Sequence, residues 1–311
     1  MNLLPHIAFL AAGFILLMKG ADYFVEGASM IAAKFGIPQI VIGLTIVACG
    51  TSAPEAAVSI SAAFKGNVGI TVGNILGSNI MNILLILGLT AVVSAVAIKE
   101  GTVKVEMPFV IVITVVLTAM GIAGGSLSRL DGVILWVLFI GFFVYLFRLT
   151  KKEGIEEEIE PVNASLLKML VFTIGGLIAI VLGSDVTVDA ATSIAKALNV
   201  SDRIIGLTVV AFGTSLPELV TSVTAAFKGK ADIAVGNIVG SNIFNILFVV
   251  GTVAVIHPVP FDTSFIPDAL AAILSAAVLW ILSSKDRKLA RGSGFVMLVL
   301  FAVYLAQLLI R

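Results

Sequence analysis

Residues 42–55 read IGLTIVACGTSAPE, and residues 205–218 read IGLTVVAFGTSLPE. Farther along the chain, VGNILGSNIMNIL at 72–84 recurs as VGNIVGSNIFNIL at 235–247. The segments 42–84 and 205–247 align without gaps at an offset of 163 (205 − 42), and 29 of their 43 positions are identical. Such self-similarity indicates an internally duplicated fold. Many of the identical residues are polar, which favours a duplicated functional site over a duplicated scaffold.

The composition places this duplication in a membrane. Of the 311 residues, 59% are hydrophobic and only 12% are charged, and the mean hydropathy is +1.15. Soluble domains carry about 25% charged residues, and a helix of about 20 apolar residues crosses the hydrocarbon core. The sequence predicts an all-α polytopic membrane protein with ten transmembrane helices, at about 5–25, 39–62, 70–97, 107–125, 130–149, 166–191, 203–225, 233–256, 268–283 and 293–310.

A charged linker at 151–164 divides the ten spans into a first five-helix repeat at 1–150 and a second at 165–311. Because five is an odd number, the second repeat must enter the membrane in the opposite sense, which is the inverted topology of many secondary transporters. With the N-terminus outside, 13 Lys and Arg residues fall on the inner side and five on the outer side. The positive-inside rule therefore predicts a multi-pass protein of the cell membrane, with both termini extracellular or periplasmic and the linker in the cytoplasm.

The first repeated motif puts a carboxylate inside the second predicted span. An ionised Glu55 is unfavourable in hydrocarbon, and an intramembrane glutamate is therefore a candidate functional residue. Pro54 lacks the N–H that would bond the carbonyl of Gly50, so the sequence predicts a kinked helix with free carbonyls near Ala48 and Cys49. Thr51 and Glu55 are four residues apart and share one helix face. Carbonyl, hydroxyl and carboxylate oxygens suit hard cations, and the second copy repeats the pattern at Ala211, Thr214, Ser215, Pro217 and Glu218.

The second repeated motif supplies small and polar residues to the following span. Gly73 and Gly77 form a surface that permits close helix approach. Ser78 and Asn82 are four residues apart, so their oxygens share a face and can complete a coordination shell, and Ser241 and Asn245 are their second copies. Two interpretations stay open for the remaining asparagines, ion ligands or hydrogen-bond partners between helices: Asn74, Asn79, Asn237 and Asn242.

The paired motifs GTSAPE…GNILGSNIMN and GTSLPE…GNIVGSNIFN resemble the two α-repeats of the sodium/calcium exchangers, in the calcium/cation antiporter superfamily. The ten-span pattern and the central hydrophilic loop are similar to those of the compact prokaryotic members. The resemblance implies that Glu55 and Glu218 coordinate calcium and sodium at the membrane centre. It also implies ligand roles for Thr51, Ser52, Thr214, Ser215, Ser78, Ser241, the carbonyls of Ala48 and Ala211, and the polar side chains of Asn82 and Asn245.

Potassium-dependent members of this superfamily, and some archaeal members, carry Asp at the position of Asn245. The Asn here therefore implies transport without potassium and less charge in the central site. The resemblance further implies that the first and sixth spans slide over the bundle of motif helices. The expected function is a secondary active antiporter that exchanges sodium for calcium by alternating access.

Charge balance is consistent with that function. Two carboxylates bring a charge of −2, which one Ca²⁺ or at least two Na⁺ would compensate in a medium of low dielectric constant. The expected partners are Ca²⁺, Na⁺ and the lipid bilayer. No cofactor is expected, and the single Cys49 excludes an internal disulfide and a cysteine-based metal cluster. A net charge of +0 argues against a nucleic-acid partner.

Three alternative functions stay open at this point. A calcium/proton antiporter would protonate Glu55 or Glu218 in place of binding sodium. A passive cation channel would pass ions without coupling their movements. An intramembrane hydrolase would use the two carboxylates to activate water, although the sequence offers no further nucleophile beside them.

Overall fold

The computed structural model describes residues 4–64, 68, 70–153, 164–198 and 211–310. Its α-helices, numbered in chain order, are α1 (Leu4–Phe35), α2 (Gln39–Ile42), α3 (Ala48–Thr51), α4 (Ala53–Phe64), α5 (Ile70–Ile80), α6 (Gly88–Val93), α7 (Met107–Gly124), α8 (Arg129–Glu153), α9 (Leu166–Leu170), α10 (Gly176–Ala197), α11 (Ala211–Thr214), α12 (Leu216–Phe227), α13 (Ala231–Phe244), α14 (Gly251–Ile256), α15 (Ile266–Ser284) and α16 (Arg291–Ile310). Between these helices, π-helical turns occur at Gly43–Val47, Met81–Leu87, Thr102–Glu106, Val171–Gly175 and Asn245–Val250, and a 3₁₀ turn occurs at Thr263–Phe265.

Eight helices in the described ranges are long and apolar enough to cross a membrane. A further candidate span is the pair of helices Gln39–Thr51 and Ala53–Phe64, between which the chain bends by 48°. The predicted span at 203–225 begins outside the described residues, and its described part consists of α11 and α12. The prediction of a helical polytopic membrane protein is confirmed, whereas the number of ten spans stays a prediction.

Helix α1 is longer than the sequence predicts. It runs from Leu4 to Phe35, or 32 residues, whereas hydropathy placed its end near residue 25. At the normal rise per residue it is about 48 Å long. The charges that lower the hydropathy do not end the helix, because Asp22 has a partner: the Lys228 ammonium lies 3.3 Å from its carboxylate and 2.8 Å from its carbonyl oxygen.

A seam of glycines joins α1 to the sixth span. Gly13 of α1 lies against Gly183 of α10, and Gly20 lies against Gly176. As residue numbers rise in α1, those of its neighbours in α10 fall, so the two helices are antiparallel. A Cβ atom added to Gly176 would lie 2.5 Å from the backbone nitrogen of Phe24, closer than real side chains allow. Small residues at this interface let the two backbones touch.

A second close approach joins the two motif regions. The Cα atom of Gly236 in α13 would lie 2.9 Å from a Cβ built on Gly43, and Gly240 lies against Leu44 and Ala48 in the same way. The second and eighth spans are therefore in backbone contact at the centre of the molecule. Their buried apolar residues belong to two clusters: Leu44 and Val239 are in the main hydrophobic core, and Ile42 and Ile233 pack in a second cluster with residues of α1.

Two short antiparallel ribbons connect loops from different repeats. Strand β1 (Val96–Ala97) pairs with β4 (Lys288–Leu289), and β2 (Ser126–Leu127) pairs with β3 (Val259–Pro260). The sequence predicted helix through residue 97, but the helix ends at Val93 because the following residues pair as a strand. These ribbons satisfy backbone polar groups at the span ends, where the helical hydrogen bonds stop.

The glycine seam gives a direct test of the α1–α10 contact. We expect Gly176→Ala to lower the thermal unfolding midpoint in detergent, because the added Cβ meets backbone atoms of Phe24 and Gly20 that have little freedom to move. Overpacking of this kind costs roughly 1–3 kcal/mol. The measurement is thermal unfolding of purified protein.

Gly175→Ala is the matched control, since a Cβ on the adjacent residue would meet no atom within 4 Å. The control should unfold at or slightly above the wild-type temperature. Equal unfolding temperatures for the two variants would contradict the close α1–α10 contact.

Candidate ion-binding site

Both motif glutamates lie in the first turn of a helix that follows a break. Helix α3 ends at Thr51 and α4 begins at Ala53, so Glu55 is the third residue of α4. In the second copy, Glu218 is the third residue of α12. Proline is favoured in a first turn, where its missing N–H has no helical partner, and the helix N-terminus favours a negative charge. The sequence predicted a kinked continuous helix, but the structure has two helices with the carboxylate at the start of the second.

The break does not free the carbonyl of Ala48. The backbone N–H of Ser52 donates to it at 3.0 Å, and the Thr51 hydroxyl approaches it at 3.4 Å. The expectation of a free carbonyl at Ala48 is therefore wrong, because the helical hydrogen bonds continue to the last residue before the break. In the second copy the Ser215 N–H donates to the carbonyl of Phe212 at 3.2 Å, which is a tighter turn.

Each glutamate is hydrogen-bonded by the motif of the other repeat. Both side chains are fully buried, with 0% exposure. The Ser52 hydroxyl donates to Glu218 Oε1 at 2.7 Å, and Ser215 donates a side-chain hydrogen bond to Glu55. Ser78 lies 3.5 Å from Glu55 Oε1 and 3.4 Å from the Ser215 hydroxyl. The two carboxylates are also close enough to repel each other electrostatically.

The asparagines of the second motif form a reciprocal set across the repeats. Asn79 Nδ2 donates to the carbonyl of Asn242 at 3.3 Å, and Asn242 Nδ2 donates to the carbonyl of Asn79 at 3.4 Å. Asn82 Nδ2 donates to Asn242 Oδ1 at 3.3 Å, and Asn245 Nδ2 donates to Asn79 Oδ1 at 3.2 Å. Because each bond has a counterpart at the repeat offset, this contact has local two-fold symmetry. The interpretation of Asn79 and Asn242 as hydrogen-bond partners between helices is the one that this geometry supports.

Asn237 and Asn74 each form a hydrogen bond with the neighbouring span of their own repeat, and Asn237 also bonds the other repeat. Asn237 Oδ1 accepts the Thr51 hydroxyl at 2.9 Å, and its Nδ2 donates to the Ser222 hydroxyl at 2.9 Å. In the first repeat, Asn74 Nδ2 donates to the Ser59 hydroxyl at 3.2 Å. These side chains fix the second, third, seventh and eighth spans around the glutamates.

Several buried oxygens of this region lack a hydrogen-bond partner within the protein. They are Glu55 Oε2, Glu218 Oε2, Asn82 Oδ1, Asn245 Oδ1 and Ser241 Oγ. Buried polar atoms are normally satisfied, so these exceptions suggest a bound group. Among the residues that the structure describes, no group of three or more His, Cys, Asp and Glu could hold a metal. The donor set is therefore two carboxylates with neutral amide and hydroxyl oxygens, a set that suits hard cations such as Na⁺ and Ca²⁺.

The structure brings most of the predicted site residues together, with differences between the copies. The single hydroxyl proton of Thr51 has two acceptors within reach, Asn237 Oδ1 at 2.9 Å and the carbonyl of Val47 at 3.1 Å. An ion would therefore contact the lone pairs of the Thr51 oxygen. Thr214 lines a cavity together with Ser78. Ala211 opens the described range of the second motif, as the first residue of α11.

One buried polar residue near Glu218 in the chain, Thr221, is not identified by comparing the two repeats. Thr221 is 0% exposed, and its hydroxyl has no hydrogen-bond partner in the protein. It lies three residues after Glu218 on α12, and the first repeat has Val58 at the equivalent position. A search for polar residues that recur in both repeats misses Thr221, because its counterpart is apolar. The sequence feature that would identify Thr221 is its helical spacing from Glu218.

Comparison with known proteins agrees with this architecture. A model of the family described as "Sodium/calcium exchanger protein" matches residues 5–148 and 168–310. The putative antiporter CaxA of Alkalimonas amylolytica is 39% identical over 310 residues, covering 95% of this chain and 96% of CaxA. The sodium/calcium exchanger MaX1 of Methanosarcina acetivorans is 33% identical over 340 residues, covering 96% of this chain and 97% of MaX1.

A solved structure of a sodium-calcium exchanger is also similar to this chain. The sodium-calcium exchanger NCX_Mj, soaked with zero Na⁺ and Ca²⁺, matches with a TM-score of 0.85 at 35% sequence identity, over 99% of this chain and 100% of that chain. The family match spans both repeats, and the fold match spans the helices that carry the two glutamates. This chain therefore belongs to the sodium/calcium exchanger protein family.

Proposed function

We propose that this protein is a secondary active antiporter that exchanges Na⁺ for Ca²⁺ across the cell membrane. The observation that carries the proposal is the pair of fully buried glutamates, each bonded by the opposite repeat and each with one oxygen that no protein group satisfies. Family membership and the likeness to NCX_Mj, whose name states sodium-calcium exchange, support the choice of ions.

The ligands in this proposal are the motif oxygens. Glu55 and Glu218 supply the charge. The neutral ligands are the hydroxyls of Thr51, Ser52, Thr214, Ser215, Ser78 and Ser241, the side chains of Asn82 and Asn245, and the carbonyls of Ala48 and Ala211, of which Ala48 binds through the lone pair that the Ser52 N–H leaves. One Ca²⁺ or at least two Na⁺ balance the two carboxylates, whereas an ion-free site leaves like charges together in a medium of low dielectric constant. The conformational change is therefore favoured when the site is loaded, and this couples the two fluxes.

Inverted repeats give the two access states of this mechanism. Three features support the inversion: the antiparallel contact of α1 with α10, the reciprocal Asn79–Asn242 bonds, and the strand ribbons. The ribbons join the loop after the third span to the loop after the ninth, and the loop after the fourth to the loop after the eighth. In a ten-span topology with an inverted second half, both pairs of loops fall on common faces of the membrane.

A cavity supports access to the site from the face that we assign as external. It has a volume of about 990 Å³, and its lining includes Asn74, Ser78, Thr214, Asp268 and Tyr304. Because Ser78 also contacts Glu55, this cavity ends beside the proposed site. The excess of Lys and Arg in the inner loops supports termini on the outer face and the linker in the cytoplasm.

Neutralising one glutamate tests the proposed ion site. We expect Glu218→Gln to abolish sodium-dependent Ca²⁺ uptake into sodium-loaded proteoliposomes, because the remaining single charge does not balance Ca²⁺. Glu100→Gln is the control, since Glu100 lies outside the site and pairs with Arg287 at 2.8 Å. Uptake by Glu218→Gln at the wild-type rate would overturn the site assignment, and loss in both variants would point to a defect unrelated to ion binding.

The unpartnered hydroxyl of Ser241 gives a second test, which separates ligands from structural groups. In ion-free buffer we expect Ser241→Ala to unfold at the wild-type temperature, because no protein hydrogen bond is lost. The rise in unfolding temperature on adding Ca²⁺ should shrink, since ligand binding stabilises the folded state according to affinity.

Ser222→Ala is the contrasting variant. It removes the nearer of two acceptors of Asn237 Nδ2, at 2.9 Å, and leaves the carbonyl of Glu218 at 3.4 Å. The loss should reduce stability in ion-free buffer by roughly 1–3 kcal/mol. The role of Ser241 as an ion ligand is wrong if Ser241→Ala shows the full wild-type stabilisation by Ca²⁺. The measurement is unfolding in detergent over a range of Ca²⁺ concentrations.

A further inference from the structure

A third buried carboxylate lies outside the ion site. Glu106 ends the π-helical turn that precedes α7, and only 1% of it is exposed. The hydroxyl of Tyr145 in α8 donates a hydrogen bond to its Oε1. Hydropathy placed Glu106 just before the fourth predicted span, but the structure places it inside the candidate span Thr102–Gly124. Acidic residues within spans are rare, and they indicate functional sites by default.

Glu106 forms part of the wall of a cavity between the fourth and fifth spans. The cavity has a volume of about 720 Å³, and its lining is otherwise mainly apolar and aromatic. Phe109 and Phe142 stack at a centroid distance of 5.5 Å, and Phe142 stacks with Tyr145 at 6.1 Å. A row of aromatic faces therefore leads along the cavity to the carboxylate.

The cavity opens on the outer surface of the helix bundle. Val105 and Val137, which also line it, are 43% and 61% exposed. On a span, an exposed apolar side chain faces lipid hydrocarbon. Molecules dissolved in the bilayer thus reach this cavity directly, without passing through the proposed ion route.

A glycine keeps the cavity open. Gly141 lines it, and a Cβ built on Gly141 would meet no atom within 4 Å. Gly132 and Gly294 make the same glycine contact in the two repeats, with Gly251 and Gly88, so the offset in this span is 162 and the equivalent residue of the second repeat is Val303. A side chain of ordinary size would occupy this space in the first repeat, so the space is a consequence of this one residue.

We propose that this cavity binds amphiphiles that carry an ammonium head group directly on a hydrocarbon chain, and that these enter from the bilayer. The Glu106 carboxyl group accepts the ammonium head. The faces of Phe109, Phe142 and Tyr145 attract a cation through their quadrupoles. The apolar walls accept the chain in surroundings as apolar as the bilayer it leaves, so the charge on the head group decides which amphiphile binds. An anionic head group would meet the carboxylate as a like charge, and a neutral alcohol would gain no charge pairing.

This proposal does not depend on which ions the protein exchanges. Its test is binding of decylamine to the purified full chain in dodecyl maltoside, compared with decanol and decanoate. Native mass spectrometry counts bound molecules, and thermal unfolding reports stabilisation. We expect one saturable decylamine per chain, with a raised unfolding temperature and at least tenfold weaker binding of the other two amphiphiles.

Two variants and one control locate the site. Glu106→Gln should weaken decylamine binding at least tenfold, and Gly141→Leu should abolish it by filling the cavity while the protein still folds and keeps Glu106. Asp268→Asn changes an acid–tyrosine pair in the second repeat, where Tyr304 lies 3.4 Å from Asp268, and should leave binding unchanged. Equal binding of decylamine and decanol, or unchanged binding by folded Gly141→Leu, would overturn the proposal.

Discussion

Two carboxylates buried side by side in a membrane protein repel each other and are separated from bulk water. Glu55 and Glu218 are held in this position by hydroxyls from the opposite repeat, so neither glutamate can move away without breaking a contact between repeats. Bound cations relieve the repulsion by supplying positive charge. Most other features of the central bundle follow from holding these two groups: the helix breaks before them, the serines that bond them and the asparagines that join the spans behind them.

The two halves of the molecule meet in two different ways. At the motif bundle, polar side chains form specific reciprocal bonds, such as those of Asn79 and Asn242, which fix one arrangement. Between α1 and α10 the contact is backbone against backbone, through Gly20, Gly176 and their equivalents. This close backbone contact holds α1 and α10 together, so the two helices can shift as one unit over a fixed bundle. This difference is consistent with a transport cycle in which the bundle carries the ions and the α1–α10 layer moves.

The sequence predicts which residues form the site better than it predicts their local geometry. The duplicated motifs identify Glu55 and Glu218, because polar residues that recur in both copies of an apolar chain are unfavourable in lipid unless they bind something. The same reasoning fails at Ala48, whose carbonyl is bonded by Ser52, because a proline shows that a helix is interrupted but not where the last hydrogen bond falls. The Asn79–Asn242 pairing depends on contact between distant spans, which no local pattern encodes. Hydropathy also misplaces Glu106, since charges near a span end shift the predicted boundary although Tyr145 satisfies the carboxylate within the membrane.

The proposed exchange couples Ca²⁺ movement in one direction to Na⁺ movement in the other. The most direct measurement is ⁴⁵Ca²⁺ uptake by wild-type protein in sodium-loaded liposomes diluted into low-sodium buffer, with and without a protonophore. We predict uptake that requires internal sodium and is insensitive to the protonophore. Uptake driven by a pH gradient alone, without sodium on either side, would contradict sodium coupling and make the protein a calcium/proton antiporter.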